Sequence, residues 1–325
     1  MKVNPQITQT DPQITQITQK ETNKGEALYV ISVICGRERV KMGKMSGIVR
    51  AGGKDSGSSA VIHETAVVEA GAVLGPGVHV GPYAVIGPDV HLEEDVYVGP
   101  HAVIEGHTTI GKGCRIYQFA SIGAAPQDMK YGGEPTRVII EDGTEIREFV
   151  TIHRGTKEGH GITRVGPRCM VMAYSHIAHD CQVGRGVIMA NGATLAGHVE
   201  VGDFVVIGGL SAVHQFCKIG QYAFLGGMSG VNKDIPPYLR YWGQRGSVYG
   251  LNLIGLKRHG FSRECLKALR DTYRIVFQRK GNLKDALEEA RTIYGDFSEV
   301  SSFLDFIETS RMGIPKAGED DNGRG

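Results

Sequence analysis

Between Ile62 and Val231 the chain repeats every six residues, and no other feature restricts its fold as strongly. Ile62, Val68, Leu74, Val80, Ile86, Leu92, Val98, Ile104, Ile110, Ile116 and Ile122 share one phase. The phase resumes at Ile140, Ile146 and Ile152, slips by one residue, and runs in sixes from Val165 to Val231. All 26 positions are apolar. Four residues after each, the chain prefers something small or β-branched, as at Ala66, Ala84, Ala102, Cys114, Cys169, Cys181 and Ala193. Neither a helical period nor simple alternation gives a strict six. A short strand followed by a turn does. Three such hexads close one triangular coil, and coils stack as parallel strands. The expected fold class is an all-β parallel β-helix, nine to ten coils and roughly 45 Å long at strand spacing.

The repeat sets the domain limits. Residues 1–54 stand outside it, and the string Pro-Gln-Ile-Thr-Gln occurs at 5–9 and again at 12–16. Such polar low complexity is expected to be a disordered extension, with Met42 and Met45 as candidate alternative starts. Residues 55–235 hold the prism. Pro236 and Pro237 are expected to end it, since neither can donate to a ladder. A helical C-terminal domain follows over 236–312, with Ser262, Asn282 and Ser298 as expected helix caps, and then a polar tail over 313–325.

Composition excludes several classes. Net charge is +1, so no basic field points to nucleic acid. No apolar run is long enough to span a bilayer as a helix, so no stable membrane insertion is expected. Cys114, Cys169, Cys181 and Cys217 fall in the small-residue column and read as small buried groups. No Cys-x-x-Cys pair occurs, and unpaired thiols suit a cytoplasmic setting.

Two stretches break the hexads. Residues 123–137 lie between Ile122 and Ile140, which are three hexads apart, the length of one coil. The segment is therefore expected to replace two rungs with a loop. Lys130 and Arg137 are its candidates for phosphate contact, against the plainer reading of solvated loop charges. Residues 154–164 form the second break and cause the one-residue slip.

Of the twelve histidines, His153, His176, His179, His198 and His214 lie in the second half of the prism, with His160 in its second break. Positions three hexads apart stack directly, so Asp180 and His198 are expected to be neighbours, with His179 beside them. His214 falls on the coil after His198 and is expected on the same strip. Histidine is the usual general base near neutrality, and a carboxylate can orient it. No Ser or Cys sits in a nucleophile elbow, which favours direct attack by a substrate group.

The strings His-Ile-Ala-His-Asp-Cys (176–181), Leu-Ala-Gly-His-Val (195–199), Val-His-Gln-Phe (213–216), Lys-Tyr-Gly-Gly-Glu-Pro-Thr-Arg (130–137) and Gly-Leu-Lys-Arg-His-Gly-Phe-Ser-Arg-Glu (255–264) resemble the acyl-[acyl-carrier-protein]–UDP-N-acetylglucosamine O-acyltransferases over about 55–312. The resemblance implies a left-handed prism, a helical C-terminal domain, a homotrimer, and no metal or organic cofactor. It implies transfer of an (R)-3-hydroxyacyl chain from acyl carrier protein to the sugar 3-hydroxyl of UDP-N-acetylglucosamine, the first step of lipid A synthesis. It assigns His179 as general base, Asp180 as its support and the Gly197 N–H to the oxyanion. It puts His176, His198 and Gln215 on sugar and acyl donor, and His153 and His214 in a cleft between subunits. Gln127, Lys130, Asn252 and Arg258 would bind substrate, Lys130 on the nucleotide side, and Gly227 would leave room for a long acyl chain. Lys257, Arg258 and Arg263 would offer a basic surface to the acidic carrier.

The chain departs from the family's usual Asn-x-Glu-Gly-Leu-Lys-Arg-Arg at Ile254 and His259, which puts the nucleotide contacts in question. Three alternatives remain at this point. A sibling N-acyltransferase shares the prism but carries a globular N-terminal domain. A carbonic-anhydrase-like prism would place three histidines on zinc. A scaffold prism gives no reason for the histidine strip.

Overall fold

A computed structural model of the chain describes residues 16–21, 27–32, 59–279 and 281–318. In the N-terminal unit, Gln16–Glu21 and Ala27–Ser32 pair antiparallel. The rest of the expected disordered extension, including Met42 and Met45, lies outside the described residues, as do Cys35 and the last residues of the tail.

From Val61 the hexads become three parallel sheets, the faces of a prism. Face I starts at Val61–Ile62 and has eleven strands; face II starts at Val67–Val68 and has nine; face III starts at Val73–Leu74 and has eight. The chain visits I, II and III in turn, and each strand pairs with the strand one coil away, as Ile86 with Ile104 and Ile104 with Ile122. The aliphatic residue of each hexad points inward. Ile86, Leu92, Ile104, Ile116, Ile140, Ile152, Ile177 and Leu195 are all fully buried. Each such side chain contributes about 2 kcal/mol relative to exposure. The column four residues on is buried too, and its thiols donate to carbonyls: Cys114 to Glu141, Cys169 to Gly184 and Cys181 to Ala196, each at 3.1 Å. Burial pushes the Cys181 thiol up to about 12, so these are inert packing groups.

Two expectations about loops and ends are corrected. Ile122 is on face II and Ile140 on face III, one face apart and not one coil. The ladders show the same thing, since Ile110 pairs with Ile140 and Ile122 with Ile152, each five hexads along the chain instead of three. The loop is therefore a twelve-residue insertion that displaces no rung. Twelve is two hexads, so the phase survives and hides it. The second break inserts seven residues, seen where Ile146 pairs with Val171 and Ile152 with Ile177 at a spacing of 25.

Pro236 and Pro237 do not end the ladder either. Leu239–Trp242 adds one more parallel strand to face I, and Ser247–Leu251 folds back antiparallel on it. Pro237 occupies the turn position that Pro76, Pro82, Pro88, Pro100 and Pro167 occupy in earlier coils, two residues after the inward aliphatic, where the N–H is outside the ladder.

Helix α1 spans Leu253–Arg258, α2 Arg263–Tyr273, α3 Leu283–Tyr294 and α4 Ser298–Glu308. Ser262 and Asn282 cap α2 and α3 through the amides of Cys265 and Lys284. Ser298 does not cap. It is the first helical residue, Phe297 holds the cap position, and the Ser298 hydroxyl turns to Glu299. No described helix is long and apolar enough to cross a membrane.

Candidate active site

Most turns between faces carry one residue at positive φ. At the corner between faces II and III that residue is Asp180, His198 or Phe216 on successive coils, with φ of 60°, 62° and 66°. The residue before it on the outer edge is His179, Gly197 or Gln215. A bulky residue in the left-handed region costs conformational energy, so the corner spends strain to aim these side chains along one edge.

The His179 Nδ1 lies 2.9 Å from Asp180 Oδ2, and the His179 ring meets the His198 ring edge-on at 5.0 Å. The His198 Nε2 stands 4.0 Å from the same carboxylate. Asp180 is wholly buried, whereas the side chains of His179 and His198 keep 16% and 19% of their surface. A substrate can therefore reach the imidazoles and not the carboxylate. The His179 ring lies flat over Gly197. A Cβ there would stand 2.6 Å from Cε1 and 2.7 Å from Nε2, so only glycine lets the ring occupy this place. Gly197 is buried, and its N–H finds no protein acceptor among the described residues.

What holds Asp180 has no signature in the sequence. The seven-residue insertion wraps the carboxylate: the Thr156 amide reaches Oδ1 and Oδ2 at 3.1 and 3.0 Å, the Thr156 hydroxyl reaches Oδ2 at 2.7 Å, and the Gly161 amide reaches Oδ1 at 3.1 Å. The Asp180 amide in turn donates to the Thr163 hydroxyl at 2.8 Å. Burial pushes the carboxyl up, but the bonds from Thr156 and His179 outweigh it and hold it below its usual range. The ligating atoms of His179, Asp180 and His198 do fall within 4.8 Å of one another. The carboxylate's lone pairs are nevertheless taken by Thr156, Gly161 and His179, which is a hydrogen-bonding arrangement and not a metal-binding one.

The other histidines divide. His176 stands on the outer surface of face II, its Nδ1 2.7 Å from the Thr151 hydroxyl and its ring edge-on to His153 at 4.9 Å. Burial, then the nearby His176 and His179, push His153 down to about 4, and its Nδ1 is buried without a partner. His176 is also lowered, by burial first and then by His179. Burial lowers His198 against the opposing pull of Asp180. His214 departs from its expected place. Leu195 registers with Val213, so His214 stacks over Ala196, and it is Phe216 that lies on His198, at 4.6 Å. His214 is exposed, with Nδ1 3.1 Å from the Gln215 carbonyl, and Gln215 is exposed above Gly197.

The twelve-residue loop flanks this corner. Gln127 and Lys130 are exposed on it, and Lys130 Nζ pairs with Glu158 of the shorter loop at 3.1 Å. A cleft between the two loops is lined by Asp128, Lys130, Tyr131, Glu134, Thr156 and Glu158, among others. Arg154 fastens the longer loop, donating to the Tyr131 hydroxyl at 2.9 Å and to the Gly123 carbonyl at 2.7 Å. Arg137 opens a face III strand with its side chain exposed.

Gly227 and the α1 residues are not gathered with His179. Gly227 is at the corner between faces I and II, three coils along. Asn252 caps α1, accepting from Gly255 at 3.2 Å and donating to the Tyr222 carbonyl at 3.0 Å, at the corner between faces III and I. His259 packs there against Phe204 and Tyr222. Ile254, Lys257, Arg258 and Arg263 are exposed.

The comparisons with known proteins fit this geometry. The model of "UDP N-acetylglucosamine O-acyltransferase; domain 2" matches residues 234–315, and that of the bacterial transferase hexapeptide matches 89–124 and 162–197. A curated acyl-[acyl-carrier-protein]–UDP-N-acetylglucosamine O-acyltransferase from Thermodesulfovibrio yellowstonii is 48% identical over 253 residues, covering 78% of this chain and 98% of the relative. The chain belongs to this family. Solved family structures agree: the UDP-N-acetylglucosamine acyltransferase of Campylobacter jejuni is 39% identical with a TM-score of 0.76, covering 79% of this chain and 100% of that one. The Arabidopsis UDP-N-acetylglucosamine acyltransferase is 36% identical with a TM-score of 0.70 over 79% and 100%. With them the prism is the left-handed parallel β-helix of the family, followed by its helical domain, and the chain is an O-acyltransferase.

Proposed function

We propose that this enzyme moves an (R)-3-hydroxyacyl chain from acyl carrier protein to the 3-hydroxyl of UDP-N-acetylglucosamine, the first step of lipid A synthesis. The observation that carries the reading is the buried Asp180 carboxylate bonded to His179 Nδ1, with the His179 ring open to substrate above the Gly197 N–H. With Nδ1–H donated to Asp180, Nε2 is left basic and takes the proton of the sugar hydroxyl. The alkoxide oxygen forms a bond to the thioester carbonyl carbon. The Gly197 N–H faces the resulting oxyanion, a contribution of about 3 kcal/mol to the barrier. The C–S bond then breaks, and the carrier's thiolate recovers the proton from His179. No covalent enzyme intermediate forms.

His176, His198 and Gln215 border the same corner and are assigned to sugar and acyl donor. Lys130 and Gln127 on the adjoining loop are assigned to the nucleotide side. Gly227 and Arg258 stand at the other two corners, which supports a homotrimer in which a neighbour's corner completes each site, with His153 and His214 toward the cleft. The exposed edge between faces I and II supports the same assembly, with Tyr83, His101, Phe119, Phe149 and Tyr174 stacked ring on ring at 4.9–5.0 Å. Lys257, Arg258 and Arg263, exposed and without ion-pair partners among the described residues, are assigned to the acidic carrier protein. A cytoplasmic setting suits the free thiols.

Purified enzyme assayed with UDP-N-acetylglucosamine and a series of (R)-3-hydroxyacyl carrier proteins tests the reading. An O-acylated sugar nucleotide is expected. Acylation only of an amino sugar would favour the sibling N-acyltransferase chemistry instead.

A further inference from the structure

Among the described residues no hydrogen bond runs from the seven-residue insertion to His179 or His198, although His160 on it stands near enough to help lower His198. The insertion closes on Asp180, with Thr156 giving three of the hydrogen bonds to the carboxylate and Gly161 a fourth. Two glycines make the closure possible. A Cβ at Gly159 would stand 2.3–2.5 Å from the carboxylate atoms, and one at Gly155 would stand 2.4 Å from Gly161 and Ile162 backbone. The loop's own turn is held by the Gly159 and Gly161 amides on the Thr156 carbonyl, at 3.2 and 3.1 Å. Asp180 is a corner residue at positive φ, as His198 and Phe216 are on the next coils, yet those two keep exposed or half-buried side chains. Of these three corner side chains, only the one that receives the loop's donors is fully buried.

We propose that Thr156, with the 155–161 backbone, is a positioning device for catalysis. It locks the rotamer of the Asp180 carboxylate, and through the Oδ2 bond it fixes which His179 nitrogen carries the proton. Thr156 is a positioning residue, its amide and hydroxyl both spent on Asp180. The inference rests on the proposed acyl transfer for its kinetic consequence, although the lock itself can be seen without turnover. The geometry requires all the parts. The Thr156 hydroxyl and the His179 Nδ1 share Oδ2, at 2.7 and 2.9 Å. Removing the hydroxyl takes the shortest of the bonds off Oδ2 and leaves only the backbone amides, so the carboxylate can turn toward His198 Nε2, now at 4.0 Å, and its hold on the His179 tautomer loosens. The same loop carries Glu158, paired with Lys130 of the long loop, so both insertions are fastened around this one corner.

The test uses full-length Thr156→Val, Thr156→Ser and Gly159→Ala, with kcat and KM for both substrates, thermal unfolding, and ¹⁵N spectra of labelled histidine. Thr156→Val is expected to lower kcat by up to about 10²-fold, the usual cost of misplacing a reacting group, while both KM values hold within about twofold. The His179 spectrum should lose its single Nδ1–H form. Thr156→Ser restores both readouts. Gly159→Ala keeps every donor but drives a methyl into the carboxylate, and should lower kcat in the same direction. A folded Thr156→Val with wild-type kcat and an unchanged His179 spectrum overturns the proposal. So does a Thr156→Ser variant that restores neither. If the wild-type enzyme fails to acylate the sugar nucleotide, the proposed reaction falls, while the ¹⁵N comparison still decides the lock. If Thr156→Val unfolds, Gly159→Ala and Thr156→Ser decide it, and wild-type spectra and kcat in Gly159→Ala count against it.

Discussion

The corner between faces I and II and the corner between II and III are built from the same turn, and they put it to opposite uses. Both carry non-glycine residues at positive φ, Tyr83, His101, Phe119, Phe149 and Tyr174 on one and Asp180, His198 and Phe216 on the other. On the first the rings lie parallel, one per coil, with Phe119, Phe149 and Tyr174 keeping 43–65% of their surface exposed. On the second an inserted loop covers one coil, and its residue is a carboxylate with no exposed surface. The hexad fixes where a corner side chain points. What it does there depends on whether an insertion brings hydrogen-bond donors to meet it.

Removing His179, the proposed general base, should separate the corners most sharply. His179→Ala is expected to lower kcat by about 10²–10⁴, the range of a general base, with unfolding temperature unchanged. Gly197→Ala comes next: its methyl would occupy the space of the His179 ring, and kcat should fall by about 10²-fold. On the other corner, Phe119→Ser with Phe149→Ser should weaken self-association by roughly 2–5 kcal/mol, from the apolar area lost per ring, read by sedimentation at falling protein concentration. If the oligomer survives unchanged, that edge is not the interface.

A pH prediction follows from His153. Its folded pKa is pushed down to about 4 against 6.5 for a free imidazole, so the unfolded chain binds the extra proton between those values. Stability is therefore complete above about pH 6.5 and is lost as pH falls toward 4, by up to about 3 kcal/mol. His153→Gln should flatten that acid loss in unfolding titrations. The smallest effect is expected at Gly227, where a Cβ meets only Gly209 backbone, its carbonyl oxygen at 3.4 Å, and there is room for a side chain. Gly227→Met should shift acyl preference toward shorter chains by about tenfold; an unaltered chain-length profile removes Gly227 from the acyl path.

Legibility in the sequence follows the arithmetic of the repeat. Ile86 over Ile104, and His179 beside Asp180 and His198, follow from a spacing of three hexads and can be read directly. The twelve-residue insertion cannot, because a multiple of six leaves the phase intact and looks like one coil. His214 is misplaced for a related reason. Counting coils puts it on the right edge, but a two-residue offset along the turn sets it over Ala196 while Phe216 meets His198. Thr156 and Gly161 have no local signal at all, since their role exists only once the loop has folded back across a corner 19 to 24 residues away. Ser298 carries a good cap signal, yet Phe297, packed against the core, holds the cap position and Ser298 is the first helical residue.

The central claim is that His179 and Asp180 act as one unit, and a double-mutant cycle in kcat measures this directly. His179→Ala, Asp180→Ala and the pair are compared with wild type under saturating substrates. The account predicts that the double variant is no slower than His179→Ala alone, because the carboxylate acts only through the imidazole. Losses that multiply, with Asp180→Ala slowing the enzyme further after His179 is gone, would contradict it.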